Sequence, residues 1–374
     1  MNDREDPDFV SIRKWLYVFG SIVALAVAAH GVYWWFIAGG LRDGFSAWVE
    51  DRRAAGWVIG HAPAKIGGYP LHVQATIGDP DIAGPAGPAE WRWRGPSLRL
   101  TLRPWRPREI LVSAPGRHRV QTKHGDRREI VETTAQSVDG RVRLAPDGRV
   151  ESIVLDVVAA DAHRPGIPGR LHLDRLGLTL FLPDGSGDAA AQPDDGEPAG
   201  PFVSMSAANV VLPEGWRYPL GRVVRTIAID AKLLGDLAAG PTPAAILAAW
   251  RDAGGTVEFR RLDVVWGGLD LSSEGSLALD GALQPIAAMT ARIRGYRETI
   301  DALVETGYVR ARDALVTKLV LGVVARATPG GKSRLTVPVT LQNGVLSAGP
   351  ARLFRLPAID WPAIDRAAAG GATR

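Results

Sequence analysis

The chain has 374 residues, a formal net charge of +4 and no cysteine. The missing cysteine excludes a disulfide scaffold, a thiol nucleophile and thiolate metal sites. The charge is modest for this length, and only Trp91-Arg92-Trp93-Arg94 interleaves cations with aromatics, so nucleic acid is not an expected partner.

Residues 1–14 read as a polar cytoplasmic tail. An apolar run follows over 15–38, interrupted only by His30 and small residues. About 20 apolar residues cross a bilayer, so this run predicts a transmembrane anchor. Arg13 and Lys14 at its start put the N-terminus in the cytoplasm and the body in the periplasm, although Arg42, Arg52 and Arg53 beyond it weigh the other way. Trp15 and Tyr17 at one end, and Tyr33, Trp34, Trp35 and Phe36 at the other, match interfacial belts. A cleaved signal peptide with its small-residue site at Ala26-Val27-Ala28-Ala29 competes with this reading. The run continues past that site into four bulky residues, which favours the uncleaved anchor. Residues 39–56 predict a juxtamembrane helix on the membrane surface, with Phe45, Trp48 and Val49 on one side.

Residues 57–182 form a first β-rich half. Leu71, Val73, Ala75 and Ile77 alternate, as do Leu98, Leu100 and Leu102, and Leu176, Leu178, Leu180 and Leu182. That period of two marks half-buried strands. Turn residues recur between them, and 79–89 reads as a Gly/Pro loop. Residues 183–201 are acidic and rich in Gly, Ala and Pro, and predict a flexible linker or surface loop.

The second half, 202–361, holds strands near 203–207 and 223–231. Pro243 opens a short helix ending at Gly254-Gly255. Val257 and Phe259 differ in parity from Leu262, Val264 and Trp266, so a bulge is expected at Arg260-Arg261. Leu269, Leu271, Leu277 and Leu279 alternate with polar residues, and Met289, Ala291 and Ile293 form the next strand. The period then changes to three or four over about 296–326, which predicts a long amphipathic helix bent at Gly307. Leu335, Val337, Val339 and Leu341 alternate again, and Asn343-Gly344 signals a two-residue hairpin. Pro338 has no N–H to give the ladder, so its strand is expected at an edge or with one side open. Residues 362–374 are a tail.

The expected fold is α+β and mostly antiparallel β. An elongated curved sheet carries the long C-terminal helix on its concave face.

Several stretches carry a family resemblance. They are Gly67-Gly68-Tyr69-Pro70, Trp250-Arg251 with Gly254-Gly255, and Val265-Trp266-Gly267-Gly268-Leu269. Gly275-Ser276-Leu277-Ala278-Leu279-Asp280, Gln284-Pro285 and Asn343-Gly344 add to them. Together they resemble the alphaproteobacterial family catalogued as domain of unknown function 2125. These are turn and packing residues and carry no catalytic role. More loosely, the chain is similar to AsmA-like envelope proteins. That likeness implies an elongated sheet enclosing a hydrophobic groove and a part in envelope lipid homeostasis.

No catalytic constellation appears. The seven histidines include no HExxH, and no G-x-S-x-G elbow occurs. His118 with His124, or His163 with His172, read as unpaired surface histidines rather than metal ligands. Gly330-Gly331-Lys332-Ser333 lacks the first glycine of a phosphate loop. Asp263, Asp270, Glu274 and Asp280 read as a solvated face, not a glycosidase pair. No cofactor is implied. Two surfaces remain as candidates. Leu98, Leu100, Leu102, Leu277, Leu279 and Ile293 would line a groove for a lipid or another hydrophobic ligand. Trp91, Arg92, Trp93, Arg94, Trp105 and Arg106 would touch anionic head groups or an envelope protein, or simply be core tryptophans beside solvated arginines. The expected function is a non-enzymatic, inner-membrane-anchored periplasmic protein that binds or shuttles a hydrophobic ligand. An envelope scaffold without a ligand, and an envelope hydrolase, stand as alternatives.

Overall fold

The computed structural model describes residues 7–84, 90–124, 127–183, 200–237, 240, 242–312, 314–315, 318, 334–349 and 351–369. Helix α1 (Pro7–Ala54) comes first. It is unbroken, so the apolar run and the following amphipathic stretch are one helix. Next come β1 (Val58–Gly60), β2 (Lys65–Gly67), β3 (Val73–Gly78), β4 (Asp81–Ala83), β5 (Glu90–Arg94) and β6 (Ser97–Arg103). They are followed by β7 (Arg106–Ser113), β8 (Gly116–His124), β9 (Arg127–Leu144), β10 (Val150–His163), β11 (Arg170–Phe181), β12 (Phe202–Val211) and β13 (Val223–Leu234). Helix α2 (Pro243–Asp252) precedes β14 (Thr256–Trp266), β15 (Leu269–Leu279) and β16 (Pro285–Arg294). Helix α3 (Tyr296–Glu305), β17 (Arg334–Gln342), β18 (Val345–Ala348), β19 (Ala351–Arg355) and α4 (Trp361–Ala369) complete the described chain.

All nineteen strands among the described residues belong to one antiparallel sheet. From β9 to β19 each strand pairs with the next in sequence. Strands β11 and β12 pair directly, so the sheet runs unbroken across the Pro-rich 183–201 stretch, of which 184–199 lie outside the described residues. Before β9 the strands come as end-to-end halves. Both β7 and β8 pair with β9, β6 and β5 pair with β7 and β8, β3 and β4 with those, and β2 and β1 with β3 and β4. At the far edge, β19 pairs only with β18 among the described residues.

The breaks between half-strands fall on one line. Pro80, Pro96 and Pro115 sit in them and can donate no ladder bond. Asp79, Ala159 and Asn209 take positive φ of 46°, 47° and 48° along the same line. Opposite Ala114 and Pro115, β9 spends three residues, 136–138. The register of β13 slips beside Arg225. An extra residue or a left-handed step reverses which face the next side chain takes. Each strand is thereby rephased where it crosses the line, and apolar residues stay on one face. In β11 the odd-numbered Leu171 and Leu173 share that face with the even-numbered Leu176 and Leu178.

The largest fully buried side chains are Ile77, Val73, Leu335 and Val337. They lie at two separated places, on β3 beside α1 and on β17 beneath α3. Helix α3 buries Tyr296 and Ile300 against Ala291, Leu335 and Val337. It starts at Gly295, whose φ is 70° and whose added Cβ would overlap the Gly268 carbonyl. The long helix expected over 296–326 is interrupted at Gly307, φ 80°, and a helical turn resumes around Ala311 and Ala314. Its remainder, 319–326, falls outside the described residues. The bulge at Arg260-Arg261 and the Asn343-Gly344 hairpin are present, both turn residues with positive φ. Pro338 lies just past the last β17–β18 pair, Val339 with Ala348, where no ladder donor is needed. In α2 the Thr242 hydroxyl accepts from the Ala245 N–H and Trp250 is buried, its Nε1 donating to the Leu234 carbonyl at 2.9 Å.

Candidate functional site

The apolar face begins at α1. Trp34, Ile37, Ala38 and Leu41 lie on Val73 and Ala75 of β3, with Ile66 and Leu100 alongside. Register partners then continue the face strand by strand. Ile66, Ala75, Leu100, Val112, Gly140 and Leu155 form one row. The row goes on through Leu178, Met205, Ile229, Leu262, Ser273, Ala291 and Val337. Only Gly140 and Ser273 interrupt its apolar character. The opposite face reads Asp139, Asp156, Gly177, Ser206, Ala228, Asp263, Ser272, Arg292 and Thr336.

The two ends of the apolar row are covered, by α1 on β1 and β3 and by α3 on β15 and β17. Between them Leu155, Leu178, Met205, Ile229 and Leu262 are half-buried. Seven strands from β7 to β14, omitting β8, span roughly 29 Å at about 4.8 Å per step. One acyl chain in a leaflet takes about half of a 30 Å hydrocarbon core, or about 15 Å. Among the described residues no helix packs on this stretch, which is wide enough for an extended chain laid across it.

All six residues expected to line a groove share this face: Leu98, Leu100 and Leu102 on β6, Leu277 and Leu279 on β15, and Ile293 on β16. The sheet does not bring the two groups together, because seven strands separate β6 from β15. Leu100 packs beside α1, Leu102 is buried, and Ile293 belongs to the cluster under α3. The central residues Leu155, Leu178 and Ile229 are the ones sequence reasoning missed. Alternation marked their strands, but only the register shows that they lie between the helices.

Trp91, Arg92, Trp93 and Arg94 divide between the faces. Trp93 stacks on His118 at 5.8 Å, and Trp91 meets Trp57 edge-on at 5.5 Å. Buried His118 donates from Nε2 to the Ala114 carbonyl at 2.8 Å. Arg92 grips Asp81 through Nε at 2.5 Å and Nη2 at 2.6 Å, and Arg94 Nε adds 2.9 Å. These bonds, Arg92 first, hold the Asp81 carboxyl below the usual range. Much of this motif is thus absorbed by packing and ion pairing. Trp105 is different. It is 62% exposed in the β6–β7 turn, next to Arg106, which reaches Glu109 at 3.4 Å.

On the polar face, charges are mostly paired. Asp263 meets Arg261, Glu274 meets Arg292 and Asp270 meets Arg294. Asp280 accepts from the backbone N–H groups of Ala282 and Gln284 in its own turn. A depression of about 520 Å³ lies there among Gln74, Arg99, Thr101, Asp139, Arg141 and Asp156. At the rephasing line His172 donates to Asp161 at 3.0 Å and lies 3.2 Å from Asp174, which accepts from Asn209 at 2.7 Å. His163 sits 3.7 Å from Glu132. Among the described residues no cluster of three or more such groups could hold a metal ion. Gly330-Gly331-Lys332-Ser333 lies outside the described residues.

One further feature bears on location. Among the described residues one helix, α1, is long and apolar enough to cross a membrane, a pattern that a signal sequence also fits. The family model described as an uncharacterized protein conserved in bacteria, DUF2125, matches residues 34–357. The chain belongs to the DUF2125 family. The matched segment starts where α1 turns from exposed apolar helix to sheet-packed helix, and it includes all nineteen strands. No curated protein and no solved structure matches the chain.

Proposed function

We propose that this DUF2125 protein is a non-enzymatic, membrane-anchored periplasmic protein that seats the acyl chains of a lipid on its apolar sheet face. One observation carries the reading. The row that starts under Trp34 and Ile37 of the membrane helix continues without a polar side chain to Leu262. A chain leaving the bilayer along α1 meets apolar surface at every step, so it is not stranded in water. A soluble hydrophobic cargo or a protein partner would have no need of that continuity with the helix. The N-terminus lies in the cytoplasm in this reading, as Arg13 and Lys14 favour.

The test is photo-crosslinking in the full chain, reconstituted in vesicles with a phospholipid carrying a diazirine in its acyl chain. Crosslinks are expected on β10 to β13, at or beside Leu155, Leu178 and Ile229, as well as on α1. Leu178→Glu should remove the sheet crosslinks and leave those on α1. Crosslinks confined to α1 in the unmutated protein would overturn the lipid-seating role.

A further inference from the structure

We propose that the β2–β3 and β6–β7 turns form a second membrane contact, seated in the interfacial layer of the same bilayer that α1 crosses. The proposal rests on α1 being the anchor, and is independent of whether lipid enters the sheet face. Its basis is where the two turns are tied. His30 donates from Nε2 to the Pro70 carbonyl at 2.8 Å, Tyr33 donates to the Pro104 carbonyl at 2.9 Å, and Trp34 donates to the His72 carbonyl at 2.7 Å. The Tyr69 ring packs edge-on to Trp34 at 5.6 Å. Three hydrogen bonds within about one turn of α1 thus hold both hairpin tips level with residues 30–34.

That level is set by helix geometry. Trp15 to Tyr33 is 18 steps, or about 27 Å at about 1.5 Å per residue. A hydrocarbon core is about 30 Å thick, so with Trp15 at one interface Tyr33 stands at the other. The side chains that the tips present there suit that depth. Tyr69 is 52% exposed, Leu71 66% and Trp105 62%, and Trp35 and Phe36 of the adjoining helical turn are also bare. In water these are costly neighbours; at an interface Trp and Tyr are favoured. Arg103, Arg106 and Arg108 are exposed around Trp105 and add attraction for anionic head groups. A bilayer explains the location of the patch, because it is fixed to the helix that spans it. A second copy of the chain would require an apolar counterpart that nothing fixes at this level.

The contact would hold the sheet close to the membrane, with its apolar face starting at the lipid surface. The absence of cysteine makes the test direct. Single substitutions Leu71→Cys, Trp105→Cys, Arg106→Cys, Trp35→Cys and Ile167→Cys each take an environment-sensitive fluorophore. The full chain is reconstituted in vesicles of phosphatidylcholine and phosphatidylglycerol. Ile167 lies in the turn at the opposite end of β10 from the 145–149 hairpin, which adjoins β7. Labels at 71, 105 and 106 should shift to the blue and be quenched by head-group-level nitroxide lipids more than by mid-chain ones, like the label at 35. The label at 167 should respond only to iodide. Labels at 71, 105 and 106 that behave as the one at 167 would overturn the proposal. So would shielding that grows with protein density in the vesicle, which would mean contact between copies. Insertion at 105 without acyl crosslinks on β10 to β13 would remove the lipid-seating role and leave this contact standing.

Discussion

Tyr33 in the apolar helix donates its hydroxyl proton to the carbonyl of Pro104, 2.9 Å away at the tip of the β6–β7 turn. The bond is half-shielded and joins the apolar helix to the sheet. Tyr33→Phe keeps the ring and removes the donor. A lost intramolecular hydrogen bond of this kind costs about 0.5–1.5 kcal/mol. Amide exchange in the 102–108 segment should quicken by up to about tenfold, with exchange in β10 to β13 unchanged. Unchanged exchange in the turn would show that the tether contributes nothing.

A second expectation concerns pH. The Asp161 carboxylate, and then Asp174, raise the pKa of His172 above its ordinary 6.5. A group whose pKa is raised by folding stabilises the fold most below its unfolded value, and that contribution disappears as pH climbs through the folded value. The melting temperature of the unmutated chain should therefore exceed that of His172→Gln by more at about pH 5.5 than at about pH 9. The side chain is 38% exposed, so the difference will be small and will shrink with salt. A gap that widens with pH would contradict the assignment.

Ala159 provides the third. It occupies φ 47° inside a strand, a region that costs a residue with a Cβ about 1 kcal/mol. Ala159→Gly relieves that cost and gives back part of it as unfolded-state entropy. The expected result in urea titration is neutral to about 1 kcal/mol more stable. Ala159→Val should lose about 1–2 kcal/mol, because a β-branched residue tolerates the left-handed region least. Equal stability of the Gly and Val variants would mean that the strand does not need the left-handed step.

Much of the fold was legible because alternation is local. Leu335 to Leu341 and Leu269 to Leu279 announce strands without knowing their neighbours, and Asn343-Gly344 announces its own turn. The parity change between Leu173 and Leu176 was also in the sequence. Its meaning was not, since a rephasing line is a property of pairing across many strands. Strand β4 was hidden for another reason: three residues, Asp81 to Ala83, sit inside a stretch whose Gly and Pro content signals a loop. The apolar face was half legible. Leu100 and Leu279 were found by their period, while the burial of Leu100 beside α1 and the openness around Leu178 depend on where two helices come to rest.

The two edges of the sheet differ, and that difference governs how copies of the chain could associate. At one edge α1 lies beside β1, and Arg53 already donates to the Ile59 carbonyl at 2.6 Å. At the other, β19 is five residues long and carries exposed Arg352 and Arg355. Among the described residues β19 is paired on one side alone, so this edge can accept a strand from outside, and like charge discourages it. Should two copies meet there, each would occupy the other's β19 edge. Such a union closes on itself as a pair about a two-fold axis and leaves no β19 edge from which a fibre could lengthen.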